Sequence, residues 1–210
     1  NNLILSIEPY SKKNDSLLWI GTQTGLVLYS RAENNFEQFI DEESGLSNSV
    51  IKTIQPASNG RLWLGTDFGL VELQEDKVKD IYVHDPYKRS GLANSGGWDA
   101  FEDQSGTLWF GTGNGVSILS KSTDRFNFYP LVFNIKGVRS GYDIRSIVED
   151  KNGHTWMATQ NGFIKYNPTD GKILSFNSNI PLLKDVNSIF ADSENNIWAA
   201  TNGGISYYNT

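Results

Sequence analysis

The sequence predicts an all-β fold built from repeated four-stranded antiparallel sheets, arranged as the blades of a β-propeller. Two observations support this prediction: one motif recurs five times at a nearly constant interval, and short apolar segments separated by turn residues fill each interval. The motif is Trp-x-x-Thr-x-x-Gly, and successive tryptophans are 44, 46, 47 and 42 residues apart. The five tryptophans are Trp19, Trp63, Trp109, Trp156 and Trp198. A unit of this size cannot bury its own hydrophobic face, so the units are expected to stack against one another.

The second unit shows how the sequence encodes four strands. An apolar strand is predicted at 51–54, the tryptophan strand at 61–66, a third strand at 70–73 and an alternating strand at 78–83. Gly, Asn and Asp lie between these segments, as is typical of hairpin turns. No part of the chain has a sustained apolar period of about 3.6 residues, so almost no helix is expected.

The other units follow the same order, and the fifth ends after its third strand. The first runs from 3–7 to 36–39, the third from 100–101 to 126–129, the fourth from 144–148 to 173–176, and the fifth from 186–190 to 205–208. The expected blades span residues 1–42, 43–86, 87–131, 132–178 and 179–210, the last without its outer strand.

Each residue of the motif has a structural interpretation. The tryptophan is a large flat side chain that is expected to fill the gap between adjacent blades. The threonine suits a strand position, and the glycine is expected to supply a positive φ in the hairpin turn that follows.

The composition narrows the classes of function. The chain has 210 residues, 38% of them hydrophobic, and a formal net charge of −6. This charge argues against a nucleic-acid partner, because such binding relies on Lys and Arg neutralising phosphates. There are no cysteines, which excludes disulfides and thiolate chemistry, and no apolar run is long enough to insert this segment in a membrane.

Because the chain starts at Asn1 and Asn2 without a Met, we expect it to be a piece of a longer protein.

The repeat units resemble a known family. The segments 18–26 and 62–70 and the lead-in Gly-Leu-Ser-Asn-Ser-Val at 45–50 are similar to the two-component regulator propeller repeat. The resemblance implies the periplasmic sensor region of a hybrid two-component system anchored in the inner membrane, of the kind gut Bacteroides use to detect glycan fragments. It implies as partners a further propeller and an immunoglobulin-like domain of the same protein, followed by a membrane helix and a histidine kinase. The sequence departs from the repeat at Ala158 and Ala200, which replace its first Gly, and at 91–94, where the lead-in is altered.

The number of units leaves the closure of the propeller open. Five units are fewer than the seven usual in that family. The chain forms either an arc of a larger ring or a small ring that closes imperfectly. We favour the arc, which would expose a hydrophobic blade face.

Two long segments between blades, 84–98 and 130–142, concentrate positive charge and aromatic rings on an otherwise acidic chain. An aromatic ring beside guanidinium groups suits the face of a sugar together with a carboxylate or sulfate. The candidate ligand-binding residues in these segments are Tyr87, Arg89, Trp98, Arg139 and Tyr142. The alternative is that these are solvated loops in which Trp98, the only tryptophan outside the motif, plugs the central hollow.

A second set of candidates comes from register. The residues eleven positions before the motif tryptophans are Lys52, Trp98, Arg145 and Asn187. The residues two positions further on are all apolar: Ile54, Ala100, Ile147 and Ile189. A ring of variable polar or aromatic side chains beside constant apolar ones is therefore predicted to line the mouth of the hollow.

These observations predict a non-enzymatic sensor propeller that binds an oligosaccharide and biases signalling by domains outside this chain. No catalytic residue, metal site or cofactor is expected, since His84 and His154 are the only histidines and are predicted to lie on opposite faces. A homodimer is one expected assembly. Two rival functions remain: a scaffold that contacts protein instead of sugar, and a lyase or hydrolase on the same fold.

Overall fold

The computed structural model describes the chain in ten stretches: residues 3–10, 17–39, 46, 49–87, 91–120, 126–129, 134–135, 138–139, 143–177 and 184–209. Over these stretches the secondary structure consists of strands and turns, and none of it is a helix. Accordingly, no helix in the described stretches could cross a membrane. The predicted all-β fold is confirmed.

In the described stretches the strands form five larger antiparallel sheets, which we number as blades, and one two-stranded sheet. Blade 1 contains β1 (Ile4–Pro9), β2 (Leu17–Thr22), β3 (Gly25–Ser30) and β4 (Asn35–Phe39). Blade 2 contains β5 (Ile51–Pro56), β6 (Leu62–Thr66), β7 (Leu70–Gln74) and β8 (Lys77–Tyr82). Blade 3 contains β9 (Gly97–Glu102), β10 (Leu108–Thr112), β11 (Gly115–Leu119) and β12 (Phe126–Tyr129).

Blade 4 is preceded by a short hairpin that was predicted as loop. The hairpin pairs β13 (Asn134–Ile135) with β14 (Val138–Arg139). Blade 4 contains β15 (Ile144–Glu149), β16 (Thr155–Thr159), β17 (Gly162–Tyr166) and β18 (Ile173–Asn177). Blade 5 contains three strands, β19 (Val186–Ala191), β20 (Ile197–Thr201) and β21 (Gly204–Tyr208).

The blades follow one another around an axis. Their innermost strands contact each other in chain order, β1 beside β5, β5 beside β9, β9 beside β15 and β15 beside β19. Each blade is a simple up-and-down sheet whose strands pair in sequence order. This is the architecture of a propeller, in which neighbouring sheets share a hydrophobic interface.

Four of the five motif tryptophans lie in these interfaces. Trp19 packs in one cluster with Ile54 and Leu64 of blade 2, and Trp63 packs against Phe110 of blade 3 with ring centroids 5.4 Å apart. Trp63 is fully buried. Because a large apolar side chain removed from water contributes several kcal/mol, the tryptophans stabilise the stacking of blades as predicted.

The terminal blades differ from the inner ones. Trp198 in blade 5 is 42% exposed, and Ile205 beside it is 73% exposed. At the other end of the row of blades, the outward face of blade 1 exposes Ile4 and Ile7. The residues at the equivalent positions of blade 2, Ile51 and Ile54, are buried. The outward faces of both terminal blades are therefore apolar and open, which fits the arc we favour.

The motif threonine does more than occupy a strand. Its hydroxyl donates a hydrogen bond of 2.8 to 3.0 Å to the carbonyl of the motif glycine in every blade. The same oxygen accepts a backbone N–H from within the turn, for example from Gly69 to Thr66. The threonine thus closes the hairpin turn from the inside.

The prediction for the motif glycine is right in four blades and wrong in one. Gly25, Gly115, Gly162 and Gly204 have positive φ angles between 103° and 130°. Gly69 is not among the positive-φ residues. It is required for a different reason, because a Cβ at Gly69 would lie 2.3 Å from the Tyr82 carbonyl oxygen of the adjacent strand.

Candidate ligand-binding site

Each innermost strand contains a β-bulge at its second residue. In β5, Ile51 pairs with Thr66 and Thr53 pairs with Gly65, so the residue between them has no partner in the ladder. The same irregularity recurs in the first strand of all five blades. The bulged residues are Leu5, Lys52, Trp98, Arg145 and Asn187. A bulge redirects one side chain and increases the local twist, so these five positions form a distinct set.

The bulges share one face of the propeller with the motif turns. The residue before each bulge pairs with the motif threonine, as Ile51 does with Thr66 and Ile144 with Thr159. The bulged residue therefore lies next to the hairpin turn of its own blade. The residues two positions further on, Ile54, Ala100, Ile147 and Ile189, are all buried. The four residues predicted from register thus occupy equivalent positions above a constant apolar layer.

Lys52 and Trp98 contact each other across the boundary between blades 2 and 3. The Lys52 ammonium lies 4.0 Å from the centroid of the Trp98 ring, a cation–π contact. Trp98 remains 44% exposed. Burial lowers the pKa of Lys52, and this effect is opposed by the carboxylates of Asp67 and Asp143, which favour its charged form.

Arg145 and Asn187 form the corresponding contact between blades 4 and 5. An Nη1 hydrogen of Arg145 is donated to Oδ1 of Asn187 at 2.9 Å. The Nδ2 amide group of Asn187 in turn donates a hydrogen bond to Oδ1 of Asn202 at 2.8 Å. Asn202 belongs to the motif turn of blade 5, so the turn orients the amide and the amide holds the guanidinium.

The motif turn of blade 3 lies beside Trp98. A Cβ placed on Gly113 would lie 3.8 Å from Nε1 of Trp98, 3.3 Å from Oδ1 of Asp143 and 3.8 Å from Nδ2 of Asn94. A carboxylate and an amide therefore lie close to the edge of the indole ring. We call Lys52, Trp98, Arg145, Asn187, Asn202, Asn94 and Asp143 the mouth cluster.

Beneath the mouth cluster, Asp99 links three blades. Its Oδ2 accepts the Ile147 N–H of blade 4 at 2.6 Å, and its Oδ1 accepts from Ala100 N at 2.9 Å and from the Thr53 hydroxyl of blade 2 at 3.4 Å. Burial raises the pKa of Asp99 to about 6, against the lowering effect of these hydrogen bonds, and the Glu8 carboxylate adds to the increase.

The remaining predicted residues are not brought into the cluster. Tyr87 is 96% exposed, and its backbone N–H bonds to Asp85. Arg139 lies in β14, and only its backbone is described. Arg89 and Tyr142 lie outside the described residues.

Sequence reasoning missed several members of the cluster and Asp99 beneath it. Asn202 could have been found, because it lies in a Thr-x-x-Gly turn on the face already assigned to the bulges. Asp143 and Asn94 precede the innermost strands and have no common register, so no sequence signal marks them. Asp99 follows Trp98 directly, but its bonds to two other blades depend on the stacking of sheets.

The two histidines lie outside the mouth cluster. His154 bonds through Nδ1 to the Asp150 carboxylate at 2.9 Å, within the turn that joins the first two strands of blade 4. His84 bonds through Nδ1 to the Leu92 carbonyl at 2.7 Å. Each histidine therefore has a local structural partner.

Comparison with known proteins identifies the repeat. A family model described as "two component regulator propeller" matches residues 45–68, 139–161 and 182–203. A protein of Formosa agariphila named histidine kinase P4 is 31% identical over an alignment 184 residues long, and this alignment covers 83% of the chain. The chain spans only 13% of the length of that relative.

Solved structures agree on the fold. The extracellular domain of a hybrid two-component system of B. thetaiotaomicron superposes with a TM-score of 0.80 and 22% identity, over 99% of this chain and 28% of that one. Virginiamycin B lyase of Staphylococcus aureus superposes with a TM-score of 0.67 and 16% identity, over 99% of this chain and 70% of the lyase. At these identities the likeness concerns the fold alone. The match to the family model shows that the chain contains two-component regulator propeller repeats in three of its segments.

Proposed function

We propose that this chain is part of the extracytoplasmic sensor region of a hybrid two-component system, in the periplasm, and that it binds a carbohydrate fragment. The family match and the similarity to a histidine kinase support the sensor role. The likeness to an extracellular domain of a hybrid two-component system supports the location. The expected partners are a further propeller and an immunoglobulin-like domain of the same protein, and a homodimer is one expected assembly.

The mouth cluster is the observation that carries the carbohydrate proposal. Trp98 exposes part of an indole ring, and a sugar has an apolar face that can pack on such a ring. An amide and a carboxylate lie near the edge of this ring, and the Arg145 guanidinium lies at the equivalent bulge of the adjacent blade; together these groups supply both donors and acceptors for sugar hydroxyls. Small-ligand sites usually combine aromatic side chains with a few convergent polar groups.

The position of the cluster explains how binding is communicated. Trp98 belongs to blade 3 and Arg145 to blade 4, so a ligand that contacts both joins two blades. A ligand can shift a conformational equilibrium only by its differential affinity for the two states. We therefore place the sensing step in the relative arrangement of blades or domains, with each sheet acting as a rigid part.

Isothermal titration calorimetry with a panel of oligosaccharides tests the proposal. We expect at least one glycan to bind, and we expect Trp98→Ala to weaken its affinity at least tenfold. Trp198→Ala is the matched control, because Trp198 is also partly exposed but lies on the open face of blade 5. The proposal fails if no glycan releases or absorbs heat, or if both substitutions have the same effect on binding.

A protein-interaction scaffold is the second candidate. The open face of blade 5 favours it, because Phe190, Ile205 and Tyr207 are exposed there together. Under this alternative the calorimetric panel gives no binding.

We propose that the chain itself is not an enzyme, although propellers of this fold include a lyase. Burial raises the pKa of Asp99, and backbone N–H groups and a threonine hydroxyl occupy its carboxylate oxygens. His84 and His154 are held by local partners. Turnover of any bound glycan, followed by chromatography over a day, would contradict this part of the proposal.

A further inference from the structure

The mouth cluster also indicates the class of sugar. We infer that the ligand carries an acidic group, a carboxylate or a sulfate ester, and that Arg145 binds this group while the sugar ring packs on Trp98. This inference rests on the proposed carbohydrate-sensing function and narrows its ligand.

The two cations of the cluster differ in what surrounds them. The Lys52 ammonium lies against one face of the Trp98 ring, and Asp67 and Asp143 are close enough to favour its charge. The carboxylates offset part of the effect of burial on the Lys52 charge, and the contact restrains the Trp98 ring, which stays 44% exposed. Lys52 is a positioning residue for Trp98.

Arg145 has a neutral partner instead. Among the described residues its hydrogen bond goes to the Asn187 amide through Nη1 alone. A guanidinium has five N–H donors in a planar fork, so most of them remain for a ligand. A group with two acceptor oxygens matches this fork better than a hydroxyl does, because it accepts two parallel hydrogen bonds.

The orientation of Arg145 is fixed through two amides. Asn187 donates a hydrogen bond from Nδ2 to Asn202. This orientation of the amide leaves Oδ1 of Asn187 facing Arg145. The turn of blade 5 therefore sets the rotation of the Asn187 amide, and the amide restrains one edge of the guanidinium. Such restraint lowers the entropy lost on binding, since the donor is already placed.

Trp98 and Arg145 occupy equivalent bulges on adjacent blades, so we expect one ligand to reach both residues. Bulge side chains of adjacent blades touch in two cases, Lys52 with Trp98 and Arg145 with Asn187. Trp98 and Arg145 occupy the same position in blades 3 and 4, whose innermost strands are also in contact. A sugar ring on Trp98 with an acidic substituent directed toward blade 4 fits this arrangement.

Matched pairs of ligands test the inference. The carboxylate pairs are trigalacturonate and trimannuronate, each with its carboxyl-reduced neutral counterpart. The sulfate pair is a sulfated chondroitin disaccharide and its desulfated form. For at least one pair we expect the wild-type chain to bind the acidic member at least tenfold more tightly, measured by calorimetry. The type of pair that shows the preference identifies carboxylate or sulfate as the recognised group.

Substitutions separate the roles of the residues. Arg145→Gln is expected to abolish the preference for the acidic member, and Arg145→Lys to reduce it, because lysine lacks the planar fork. Asn202→Ala is expected to reduce the preference partially through Asn187. Trp98→Ala is expected to weaken both members of a pair by a similar factor. Unfolding midpoints of all four variants verify that the chain remains folded.

Different outcomes refute different statements. Equal binding of acidic and neutral members, or a preference that survives Arg145→Gln, overturns the acidic-ligand inference and leaves carbohydrate binding intact. Binding only of neutral glycans overturns it as well. Absence of binding by any glycan refutes the proposed function together with this inference.

Discussion

At the residue scale, the indole N–H of each motif tryptophan needs a hydrogen-bond acceptor, and the blades differ in supplying one. Trp109, Trp156 and Trp198 each donate to an aspartate six residues earlier in the chain, at 2.8 to 2.9 Å. In blade 2 this position is Ala57, and Nε1 of Trp63 is buried without a partner in the described part of the chain. An unsatisfied buried donor costs about 1–3 kcal/mol.

Restoring the aspartate should therefore stabilise blade 2. We expect Ala57→Asp to raise the free energy of unfolding by about 1 kcal/mol, since a carboxylate at the equivalent position in blade 4, Asp150, is accommodated while buried. Urea unfolding measures this change. Ala57→Asn, which supplies an acceptor oxygen without charge, separates the hydrogen bond from the added charge. A loss of stability in both variants would show that the site cannot hold the side chain.

A second prediction concerns the motif threonine. In Thr66→Val, the buried turn of blade 2 loses a hydroxyl that both donates to and accepts from Gly69. We expect a loss of about 1–3 kcal/mol in the free energy of unfolding, because backbone groups stay buried without the partner. Thr201→Val in blade 5 is the control, since its turn is exposed and water can replace the hydroxyl. Equal losses in the two variants would contradict this explanation.

These residues show what the sequence can and cannot predict at this scale. The positions of Trp63, Lys52 and Trp98 follow from the repeat, because a constant register places equivalent residues at equivalent points. Their partners do not follow, because Asp99 and Asn202 act through contacts that depend on how sheets stack. An aspartate stands six residues before three of the motif tryptophans in the sequence. Its hydrogen bond from the indole N–H, seen in the structure, gives the reason for this spacing.

At the element scale, the first glycine of the repeat lets adjacent blades approach. A Cβ on Gly111 of β10 would lie 2.5 Å from the Ile144 carbonyl oxygen of β15 in the next blade. Gly65 in β6 is similarly close to Thr53 and to the backbone of Gly97. The second strand of one blade and the first strand of the next are therefore packed backbone to backbone, where a methyl group does not fit without movement.

We accordingly expect Gly111→Ala to lower the free energy of unfolding by about 1–3 kcal/mol, the usual cost of overpacking. Gly203→Ala is the matched control, because a Cβ there would meet only the Thr201 hydroxyl at 3.7 Å. Chemical denaturation of both variants gives the comparison. Ala158 shows that a blade can adapt to the methyl group, so a Gly111→Ala chain with unchanged stability would mean that blades 3 and 4 can adapt as well.

The tryptophan strands give a further prediction at this scale. Removal of a buried tryptophan side chain costs about 3–5 kcal/mol, so Trp63→Ala should unfold blade 2 or weaken it severely. Trp198→Ala should cost much less, because 42% of that side chain is already exposed. Thermal unfolding followed by circular dichroism ranks the two. A larger effect of Trp198→Ala would mean that the open face of blade 5 is covered in solution.

At the scale of the whole molecule, the stacking of blades converts repeat spacing into architecture. The interval between tryptophans predicted the sheets and their order, since one blade alone cannot bury its interface. The segment 130–142 was predicted as a loop, and within it the short strands β13 and β14 pair with each other. This segment departs from the repeat period, so register gives no information about its local structure.

The last prediction concerns Asp99, which bonds to blades 2 and 4 from blade 3 and so reports on the assembled propeller. Burial raises its folded-state pKa to about 6 from a usual value of 3.8. In the window between these values the folded chain binds more protons than the unfolded chain, so the contribution of Asp99 to stability falls as pH rises. The loss across this window is on the order of 2 kcal/mol.

Asp99→Asn removes the titrating group, so the difference in unfolding free energy between wild type and variant should change between pH 4 and pH 6 and stay constant above pH 7. The variant also loses a hydrogen bond. This loss changes the difference in unfolding free energy by the same amount at every pH, so it does not alter the pH dependence. A constant difference between wild type and Asp99→Asn from pH 4 to pH 7 would show that Asp99 stays ionised throughout, with its hydrogen bonds to three blades outweighing its burial.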